Sequence, residues 1–394
     1  MLRVLTLSSL FPDATRPDFG VFVERQTLGL AAMPDTEVRV VAPVGLPPFP
    51  LDRLARHAAL RTLPLRERWK GLDVHRPRFL TLPGTGGRFF AGAMIRALLP
   101  VLDAIRRDFA FDVIDAEFFF PDGPAAIALG GRYGVPVSIK ARGADIHHWG
   151  RASATADQVL AAGRTADGLL AVAGAMRDDM VALGMPAERI RVHRTGIDLD
   201  AFRPAEDRVA AKAALGVAGP LVISVGALIP RKAHDVTLAA VARLPGVHCL
   251  IAGQGPERAA LEARIAALGI ADRARLLGPV AHGALPALFA AADVLSLPSH
   301  SEGLANAWVE ALASGTPVVT ADVGGAREAI DRPAAGRIVA RTPDAVAAAI
   351  AELLADPPAQ AAVRASAERF SWSTNAAELR AHLGGLVEPY ASSG

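Results

Sequence analysis

Short apolar runs alternate with stretches of helical periodicity along most of the chain. Residues 4–7 form an apolar run, residues 21–33 repeat apolar side chains at helical spacing, and residues 38–41 form a second strand-like run. This order predicts a βαβ unit. The alternation recurs after residue 200, over residues 221–225, 235–244, 247–252, 256–268, 276–277, 285–292, 294–297, 305–314 and 317–320. Each half of the chain is therefore predicted to be of the α/β class, with a parallel sheet covered by helices.

One stretch in the middle of the chain follows neither periodicity. Residues 195–204 lack a regular apolar repeat and end at Pro204, which predicts an interdomain linker. The expected domains are residues 1–196 and residues 197–371. A helical pattern near the end of the chain predicts that residues 372–394 cross back and pack on the first domain.

The composition is that of a globular protein with large cores. The 394 residues are 51% hydrophobic and 21% charged, which at about 150 residues per domain suggests two or three domains. The formal net charge is +2, only four basic residues are lysine, and aromatic residues make up 5%. A nucleic-acid binder usually concentrates basic and aromatic residues in one stripe, so nucleic acid is not an expected partner.

Cysteine usage and apolar windows predict a cytoplasmic protein. The single cysteine, Cys249, lies in an apolar run, so neither an internal disulfide nor a cysteine-rich metal site is expected. The first residues do not have the pattern of a secretion signal. Residues 213–230 lack charge for 18 positions but contain glycine and proline breakers, which favour turns and a strand over a membrane span.

The segment 299–317 carries the most informative chemistry. A strand leads into a loop with Glu302 and Gly303, and a helix from about Ala305 is predicted to end at Gly315. A helix N-terminus offers N–H groups and partial positive charge to a phosphate, and a glycine lets the backbone approach closely. Glu302 and Glu310 could flank one ligand and accept hydrogen bonds from sugar hydroxyls. The alternative is that both are solvated carboxylates of an ordinary helix.

Two cations follow an earlier strand. Arg231 and Lys232 come after the apolar run 221–225 and a glycine-opened loop, where they could neutralise a diphosphate leaving group. The alternative is a solvated turn. The nearby Gly253-Gln254-Gly255-Pro256 lacks the third glycine of a dinucleotide-binding fingerprint, so its role is interpreted as structural.

With these residues, nearly the whole chain resembles the retaining glycosyltransferases of family 4. Their fold, termed GT-B, consists of two Rossmann-like domains that face each other across a cleft. The most specific match is Glu302, seven residues and Glu310, followed by residues 311–319. Further matches are residues 196–202, 253–256 and 324–328.

The resemblance implies roles in binding the donor. Glu302 would hold hydroxyls of the donor sugar, and Glu310 would hold the ribose of the nucleotide. Lys232 matches the lysine that binds the diphosphate, whereas the arginine usual five positions earlier is Ala227 here, and Arg231 is the candidate substitute. The remaining implied contacts are the base, at Val280, and the distal phosphate, at the backbone of Gly303, Leu304, Ala305 and Asn306.

The resemblance also implies that the first domain forms the acceptor side of the site. There, Gly20, after Asp18 and Phe19, matches a glycine-rich loop that faces the donor. Glu117 ends a strand that in the family often ends in histidine, and the loop 142–145 resembles one that more often begins with histidine. Glu117 is therefore a candidate catalytic residue, with a structural role as the open alternative.

The implied activity is hexosyl or related transfer, of the EC 2.4 class, with retention of anomeric configuration. The donor would be a nucleotide-diphosphate sugar, and the acceptor a glycan, a lipid-linked or a small molecule, as in polysaccharide biosynthesis. No other cofactor and no metal are expected. Asp198-Leu199-Asp200 imitates an acid-x-acid metal motif but falls in the predicted linker, and the adjacent His147 and His148 do not have a metal-binding helical spacing.

Two other classes of function remain open. A nucleotide-sugar epimerase or a phosphorylase of the same architecture would also bind a sugar phosphate. A non-catalytic carbohydrate-binding or membrane-surface protein is suggested by residues 44–91, which are rich in proline and arginine and are predicted to form an insertion near the substrate face. The basic residues there are Arg53, Arg56, Arg61, Arg66, Arg68 and Lys70. They suggest peripheral contact with the inner face of the membrane, or alternatively a solvated helix face.

Overall fold

A computed structural model describes residues 1–17 and 19–391 of the chain. Asp18 of the predicted glycine loop and residues 392–394 of the predicted first domain lie outside the described residues, as does the side chain of Arg56. The chain divides into two compact units. Unit 1 comprises Met1–Gly196 and Trp372–Gly394, and unit 2 comprises Ile197–Ser371.

Sixteen strands form the sheets of the described chain. In chain order they are β1 Leu2–Leu7, β2 Thr36–Val41, β3 Val44–Leu46, β4 Arg66–Trp69, β5 Leu72–His75, β6 Arg78–Leu80, β7 Val113–Ala116, β8 Val137–Ala141, β9 Gly168–Ala171, β10 Ile190–Val192, β11 Leu221–Val225, β12 His248–Ala252, β13 Ala274–Gly278, β14 Val294–Ser296, β15 Val318–Thr320 and β16 Gly336–Ile338.

Fifteen α-helices lie between and after these strands in the same part of the chain. They are α1 Val21–Ala31, α2 Ala55–Arg61, α3 Phe90–Ile105, α4 Asp122–Tyr133, α5 Ala156–Thr165, α6 Gly174–Ala182, α7 Arg208–Ala214, α8 His234–Val241, α9 Arg258–Ala267, α10 Leu285–Ala291, α11 Asn306–Ala313, α12 Ala326–Ala329, α13 Pro343–Ala355, α14 Gln360–Arg364 and α15 Trp372–Ala391. Short 3₁₀ turns include Leu51–Arg53 and Pro230–Lys232.

Each unit contains one parallel sheet with helical crossovers. The order in unit 1 is β10-β9-β8-β7-β1-β2-β5-β4, parallel except for β4, and the order in unit 2 is β13-β12-β11-β14-β15-β16, parallel throughout. All residues of β7, β8 and β9 are buried, as expected for strands covered on both faces. The predicted α/β class is confirmed.

The segment 44–91 is only partly the insertion that its composition predicted. Strands β3 and β6 form a separate two-stranded sheet, but β5 pairs with β2 in the main sheet and β4 is its antiparallel edge. The expectation was wrong for β4 and β5 because each is only four residues long. The pairing of β5 with β2, which lies earlier in the chain, and of β4 with β5 supplies the order that the local pattern lacks.

The last helix packs on unit 1. Leu379 and Leu383 of α15 are buried in a cluster with Val23 and Leu30 of α1. A Cβ at Gly29 of α1 would lie 3.3 Å from the Cβ of Ala376, so the two helices are close. The predicted return of the C-terminal helix to the first domain is therefore present. Within the described residues, no helix combines the length and the apolar character needed to cross a membrane.

Candidate functional site

In unit 2, the predicted donor-binding residues follow two neighbouring strands. Strands β11 and β14 are parallel partners, so the loops that leave their carboxyl ends meet at one edge of the sheet. The backbone N–H of His300 donates to the carbonyl oxygen of Arg231 over 2.7 Å and joins the two loops directly. The side chains of Arg231, Lys232 and Glu302 are therefore brought together from positions about 70 residues apart.

Glu302 is the centre of this cluster. Lys232 Nζ donates to Glu302 Oε1 over 2.6 Å, and Arg231 donates to Glu302 Oε2 over 3.2 Å and to the carbonyl oxygen of Ser301 over 2.5 Å. The Glu302 side chain is only 7% exposed, whereas that of Arg231 is 46% exposed. Lys232 is thus the enclosed cation of the cluster, and Arg231 is the cation that keeps surface open to a ligand.

The turn that carries the cations is held by a histidine that the sequence did not single out. Ala233 has φ 54° and ψ 41°, a left-handed conformation uncommon for alanine, between the 3₁₀ turn and α8. His234 is next: its Nε2 lies 3.2 Å from the carbonyl oxygen of Ala227 and its Nδ1 lies 2.9 Å from Ser224 Oγ. Burial lowers the pKa of His234 to about 4, so it is neutral and donates from Nε2, because a carbonyl only accepts.

Helix α11 begins and ends as its sequence predicts. Ala305 is its N-cap and forms no side-chain capping bond. At the other end, Gly315 has φ +72°, and the N–H groups of Gly315 and Thr316 donate to the carbonyl oxygens of Leu312 and Ala311. This pair of bonds is the Schellman motif, in which glycine takes the left-handed position. Glu310 lies one turn into α11 and is half-buried.

A second glycine-containing loop, at Gly324 and Gly325, contacts the backbone of Glu302 and Gly303. Gly324 has φ +49°, and a Cβ on it would overlap the carbonyl oxygens of Glu302 and Gly303. The N–H of Gly325 donates to the carbonyl oxygen of Gly303 over 2.6 Å. The 324–328 stretch, which the sequence marks only through a resemblance, therefore orients the loop before α11.

Val280 lines a concavity beside the cations. This pocket has a volume of about 290 Å³, and its lining includes Gly226, Ala227, Gln254 and Val280. A Cβ on Gly253 would overlap the carbonyl oxygen of Gly226, so the glycine is needed where the two loops touch. The position where the family usually has arginine, Ala227, is thus a small residue in a pocket wall.

In unit 1, Glu117 and Arg142 follow the neighbouring strands β7 and β8. Glu117 is fully buried. Arg142 Nε donates to the Glu117 carbonyl oxygen over 2.8 Å, its NH2 group donates to the Glu117 carboxylate, and Gln26 Nε2 donates to the other carboxylate oxygen. The Arg142 guanidinium lies 4.6 Å from the ring centre of Phe22. The carboxylate of Glu117 is thus engaged by the protein itself, and its role in a reaction stays a prediction.

A second buried carboxyl group, that of Asp115, interacts with Glu117. Burial raises the pKa of Asp115 well above its usual value, and the nearby Glu117 raises it further. Burial also acts to raise the pKa of Glu117, but Arg142 and Lys140 outweigh it and the pKa is lowered. Of the two carboxyl groups, Asp115 therefore has the higher pKa and binds a proton before Glu117 does.

Lys140 and His193 extend the same network. Lys140 Nζ donates to Gln26 Oε1 over 2.5 Å and lies 2.8 Å from His193 Nδ1. Burial lowers the pKa of Lys140 to about 7. Neither Lys140 nor Asp115 was predicted from the sequence, although each is a charged residue within a short, mostly apolar strand.

The loops around this network are fixed by the backbone. Asp145 accepts N–H bonds from Arg142 over 3.0 Å, Gly143 over 2.7 Å and Phe119 over 3.1 Å, so one buried carboxylate joins the loops after β7 and β8. Gly20 has φ +72° as the N-cap of α1, and a Cβ there would overlap the carbonyl oxygen of Leu10. Both predicted acceptor-side loops thus lie at the carboxyl edge of the sheet in unit 1.

The acid-x-acid motif is a turn. Asp198 Oδ1 accepts from the N–H groups of Asp200 over 3.2 Å and Ala201 over 2.9 Å, as in an Asx-turn. Across residues 1–17 and 19–391, no group of three or more His, Cys, Asp or Glu side chains is placed to hold a metal ion.

Two family models together match most of the chain. Residues 20–201 match the model described as Glycosyltransferase Family 4, and residues 207–370 match the model described as Glycosyl transferases group 1. The chain belongs to glycosyltransferase family 4. In this family-4 chain, the residues predicted to bind the donor, from Arg231 to Glu310, all fall within the second match.

Curated relatives resemble part of this family-4 chain. The D-inositol 3-phosphate glycosyltransferase of Mycolicibacterium gilvum is 42% identical over 197 residues, which are 47% of this chain and 44% of the relative. The protein of the same name from Mycobacterium tuberculosis is 45% identical over 164 residues, 40% of this chain and 34% of the relative. The matches thus span less than half the length of these relatives.

Solved structures resemble the whole chain. Sucrose-phosphate synthase from Thermosynechococcus elongatus has a TM-score of 0.78 at 20% identity and covers 100% of both chains. The Anabaena protein HepE in complex with UDP has a TM-score of 0.76 at 19% identity, covering 98% of this chain and 100% of that one. The fold of the family-4 chain is accordingly the GT-B fold, with two Rossmann-like α/β domains.

Proposed function

We propose that this protein is a retaining glycosyltransferase that moves a sugar from a nucleotide-diphosphate sugar to a hydroxyl acceptor. The observation that carries the proposal is the contact of Glu302 with both Lys232 and Arg231 beside the start of α11. Two cations and a helix N-terminus suit a diphosphate, and a carboxylate suits sugar hydroxyls.

The proposed donor binding follows from these contacts. The diphosphate lies between Lys232, Arg231 and the backbone of Gly303, Leu304, Ala305 and Asn306, the base lies in the pocket lined by Val280, and Glu310 accepts from the ribose. HepE, a structural neighbour, was solved with UDP and with UDP-glucose, which makes uridine donors the first to assay.

The reaction breaks the bond between the anomeric carbon and the diphosphate oxygen. The electron pair of that bond goes to the diphosphate, while the acceptor oxygen bonds to the anomeric carbon on the same face and gives its proton to the departing phosphate. Negative charge grows on the diphosphate in the transition state. Lys232 and Arg231 are expected to stabilise that charge, which lowers the barrier.

In unit 1, the geometry favours an indirect role for Glu117. Because its carboxylate is buried and bonded to Arg142, we propose that Glu117 orients the Arg142 guanidinium and leaves the proton transfer to the donor phosphate. The acceptor is proposed to be a small-molecule, lipid-linked or glycan hydroxyl. The relatives named for D-inositol 3-phosphate make a phosphorylated polyol the first acceptor to assay.

The test is the substitution Lys232→Ala, compared with Lys212→Ala. Lys212 also bonds an acid in unit 2, since its Nζ lies 3.0 Å from Asp293 Oδ2, so it is a matched lysine outside the cluster. Loss of one preorganised charge contact is expected to lower turnover about 100-fold or more in Lys232→Ala. Lys212→Ala should keep the turnover of the parent protein.

Initial rates are measured with a panel of nucleotide sugars, with and without acceptor. Equal rates in the parent and Lys232→Ala proteins would contradict the proposed site. Epimerised donor formed without any acceptor would instead identify an epimerase. Nuclear magnetic resonance of the product tests retention, because the anomeric configuration of the new bond must match that of the donor.

A further inference from the structure

The segment 44–91 has a charge unlike the rest of the chain. It contains nine arginine and lysine residues against three acids, a net charge of +6 in a chain whose total is +2. Each acid is already bonded to an arginine of the same segment: Asp52 to Arg61 at 2.9 Å, Glu67 to Arg76 at 2.5 Å and Asp73 to Arg66 at 2.8 Å. Of the other basic residues, Lys70 is bonded to Glu24, outside the segment, at 2.8 Å, whereas Arg53 and Arg88 are exposed.

The same segment exposes large apolar side chains. Of the ten that are exposed in the described part of the structure, six belong to it: Phe49, Leu51, Leu54, Leu65, Leu80 and Phe89. Phe49 is 69% exposed and Leu54 is 47% exposed. Single exposed apolar residues are ordinary, but a cluster in one segment marks an interaction surface.

Three of these apolar residues share one turn with a cation. The 3₁₀ turn Leu51–Arg53 and the residues beside it present what is here called the 49–54 surface, which consists of Phe49, Leu51, Arg53 and Leu54. The Arg53 guanidinium lies 4.9 Å from the ring centre of Phe49, so charge and apolar surface are adjacent. In the β3–β6 pair, the N–H of Thr81 donates to the carbonyl oxygen of Leu46, which brings the exposed Leu80 to the strand that leads into this turn.

We propose that the 49–54 surface docks this protein on an anionic lipid bilayer. Basic residues are attracted to acidic headgroups, while phenylalanine and leucine side chains enter the headgroup boundary. Two of its three exposed apolar side chains, Leu51 and Leu54, are aliphatic. This distinguishes the surface from a nucleic-acid site, where bases stack on aromatic rings along a basic groove. Arg66 and Arg68 lie on the edge strand β4, where positive charge disfavours edge pairing, and they are not part of the proposal. The inference does not depend on the proposed function.

The experiment is co-sedimentation of the full chain with vesicles. One set is phosphatidylcholine alone, and the other mixes it with phosphatidylglycerol at about 3:1. The protein is expected to sediment with the anionic vesicles only, and salt should release it because the charges are screened. Arg53→Glu, and separately the pair Phe49→Ser with Leu54→Ser, should each weaken binding roughly 10-fold.

Matched controls lie in unit 2. Arg264→Glu changes the charge equally at an exposed site on α9, and Val209→Ser removes an exposed apolar side chain on α7. Both controls should bind as the parent does.

Binding to neither vesicle, equal binding to both, or equal loss in the controls would overturn the proposal. So would Arg53→Glu abolishing binding to single-stranded RNA while vesicle binding persists. Donor binding in the same variants is measured by calorimetry, which keeps failure of the donor site distinguishable.

Discussion

The carboxylate of Glu302 faces two cations in the same cluster that would hold a diphosphate. In the protein by itself, Lys232 and Arg231 are both within hydrogen-bond distance of this carboxylate. A bound diphosphate would offer these cations more negative charge than one carboxylate does. Glu302 would then be free to accept hydrogen bonds from sugar hydroxyls, so the same residue would hold the cations before the donor binds and the sugar afterwards.

The proposed contact of Glu310 with the ribose can be tested by a substitution that keeps the shape of the side chain. We expect Glu310→Gln to weaken nucleotide-sugar binding about 10-fold, because hydrogen bonds to a charged acceptor contribute about 1.5–3 kcal/mol. The measurement is the dissociation constant by calorimetry. The control is Glu262→Gln on α9, whose carboxylate forms an exposed pair with Arg258. Unchanged affinity in Glu310→Gln would count against the assignment of the ribose contact.

His382 of α15 should make the stability of unit 1 depend on pH. Burial lowers the pKa of His382 to about 4 from 6.5, with smaller contributions from Arg191 and Lys140. Below pH 6.5 the unfolded chain therefore binds a proton that the folded protein resists, and stability is lost as the pH falls towards 4. Between pH 7.5 and 5 this loss amounts to about 2 kcal/mol. His382→Gln should lack that share of the loss.

The measurement is urea unfolding of both proteins at the two pH values. Asp122 acts in the opposite sense, because burial raises its pKa to about 7 and the stability it contributes is lost as the pH rises through that value. The quantity to compare is therefore the difference between the variant and the parent. The exposed His148 provides the control His148→Gln, which should follow the parent. An identical pH dependence in His382→Gln would refute the prediction.

At the scale of elements, loops at the strand ends of unit 2 are ordered by close backbone contacts. Gly253 touches the Gly226 loop, and Gly324 touches the loop of Glu302 and Gly303. Neither position leaves room for a Cβ. The orientation of Glu302 thus depends on a loop 22 residues later in the chain as well as on its own helix.

Gly324→Ala is expected to weaken donor binding by at least 10-fold and to lower the melting temperature. The change places alanine at φ +49° and drives its Cβ into the carbonyl oxygens of Glu302 and Gly303. The control is Gly246→Ala, which has φ +75° but open space around the added Cβ. It carries only the backbone strain, about 1–2 kcal/mol.

Calorimetry with the donor and thermal unfolding are carried out on both variants. If both lose stability equally and both keep donor affinity, Gly324 has no part in orienting Glu302. Loss of affinity in Gly324→Ala alone assigns the effect to the contact between the loops.

At the scale of the whole molecule, the two units carry different chemistry at the carboxyl edges of their sheets. Unit 2 presents cations around one carboxylate, and unit 1 contains a buried network of Asp115, Glu117, Lys140 and Arg142. Cations and helix N–H groups can meet the charge of a diphosphate without a metal ion.

Turnover is therefore expected to be unchanged in excess EDTA. The physical reason is that Lys232 and Arg231, which meet at Glu302, are proposed to neutralise the phosphates in place of a divalent cation. Initial rates with and without the chelator provide the measurement. Loss of turnover that Mg²⁺ or Mn²⁺ specifically restores would refute this prediction.

The sequence by itself determined the features that depend on neighbours along the chain. Alternating apolar runs and helical repeats specified two α/β halves, and Gly315 specified the end of α11 because only a residue tolerant of positive φ suits that position. The meeting of Arg231, Lys232 and Glu302 was also accessible, since parallel strands bring their carboxyl ends to one edge.

Only the tertiary structure decided the features that join distant parts of the chain. Gln26 and Glu117 are 91 residues apart, and no local pattern indicates that they bond or that burial and Glu117 raise the pKa of Asp115. Strands β4 and β5 are too short for their own pattern to place them in the main sheet. The contact of Gly324 with Glu302 depends on how two loops cross. Spacing along a sequence reports local periodicity, whereas burial, pKa values and the position of a Cβ depend on atoms that folding alone brings together.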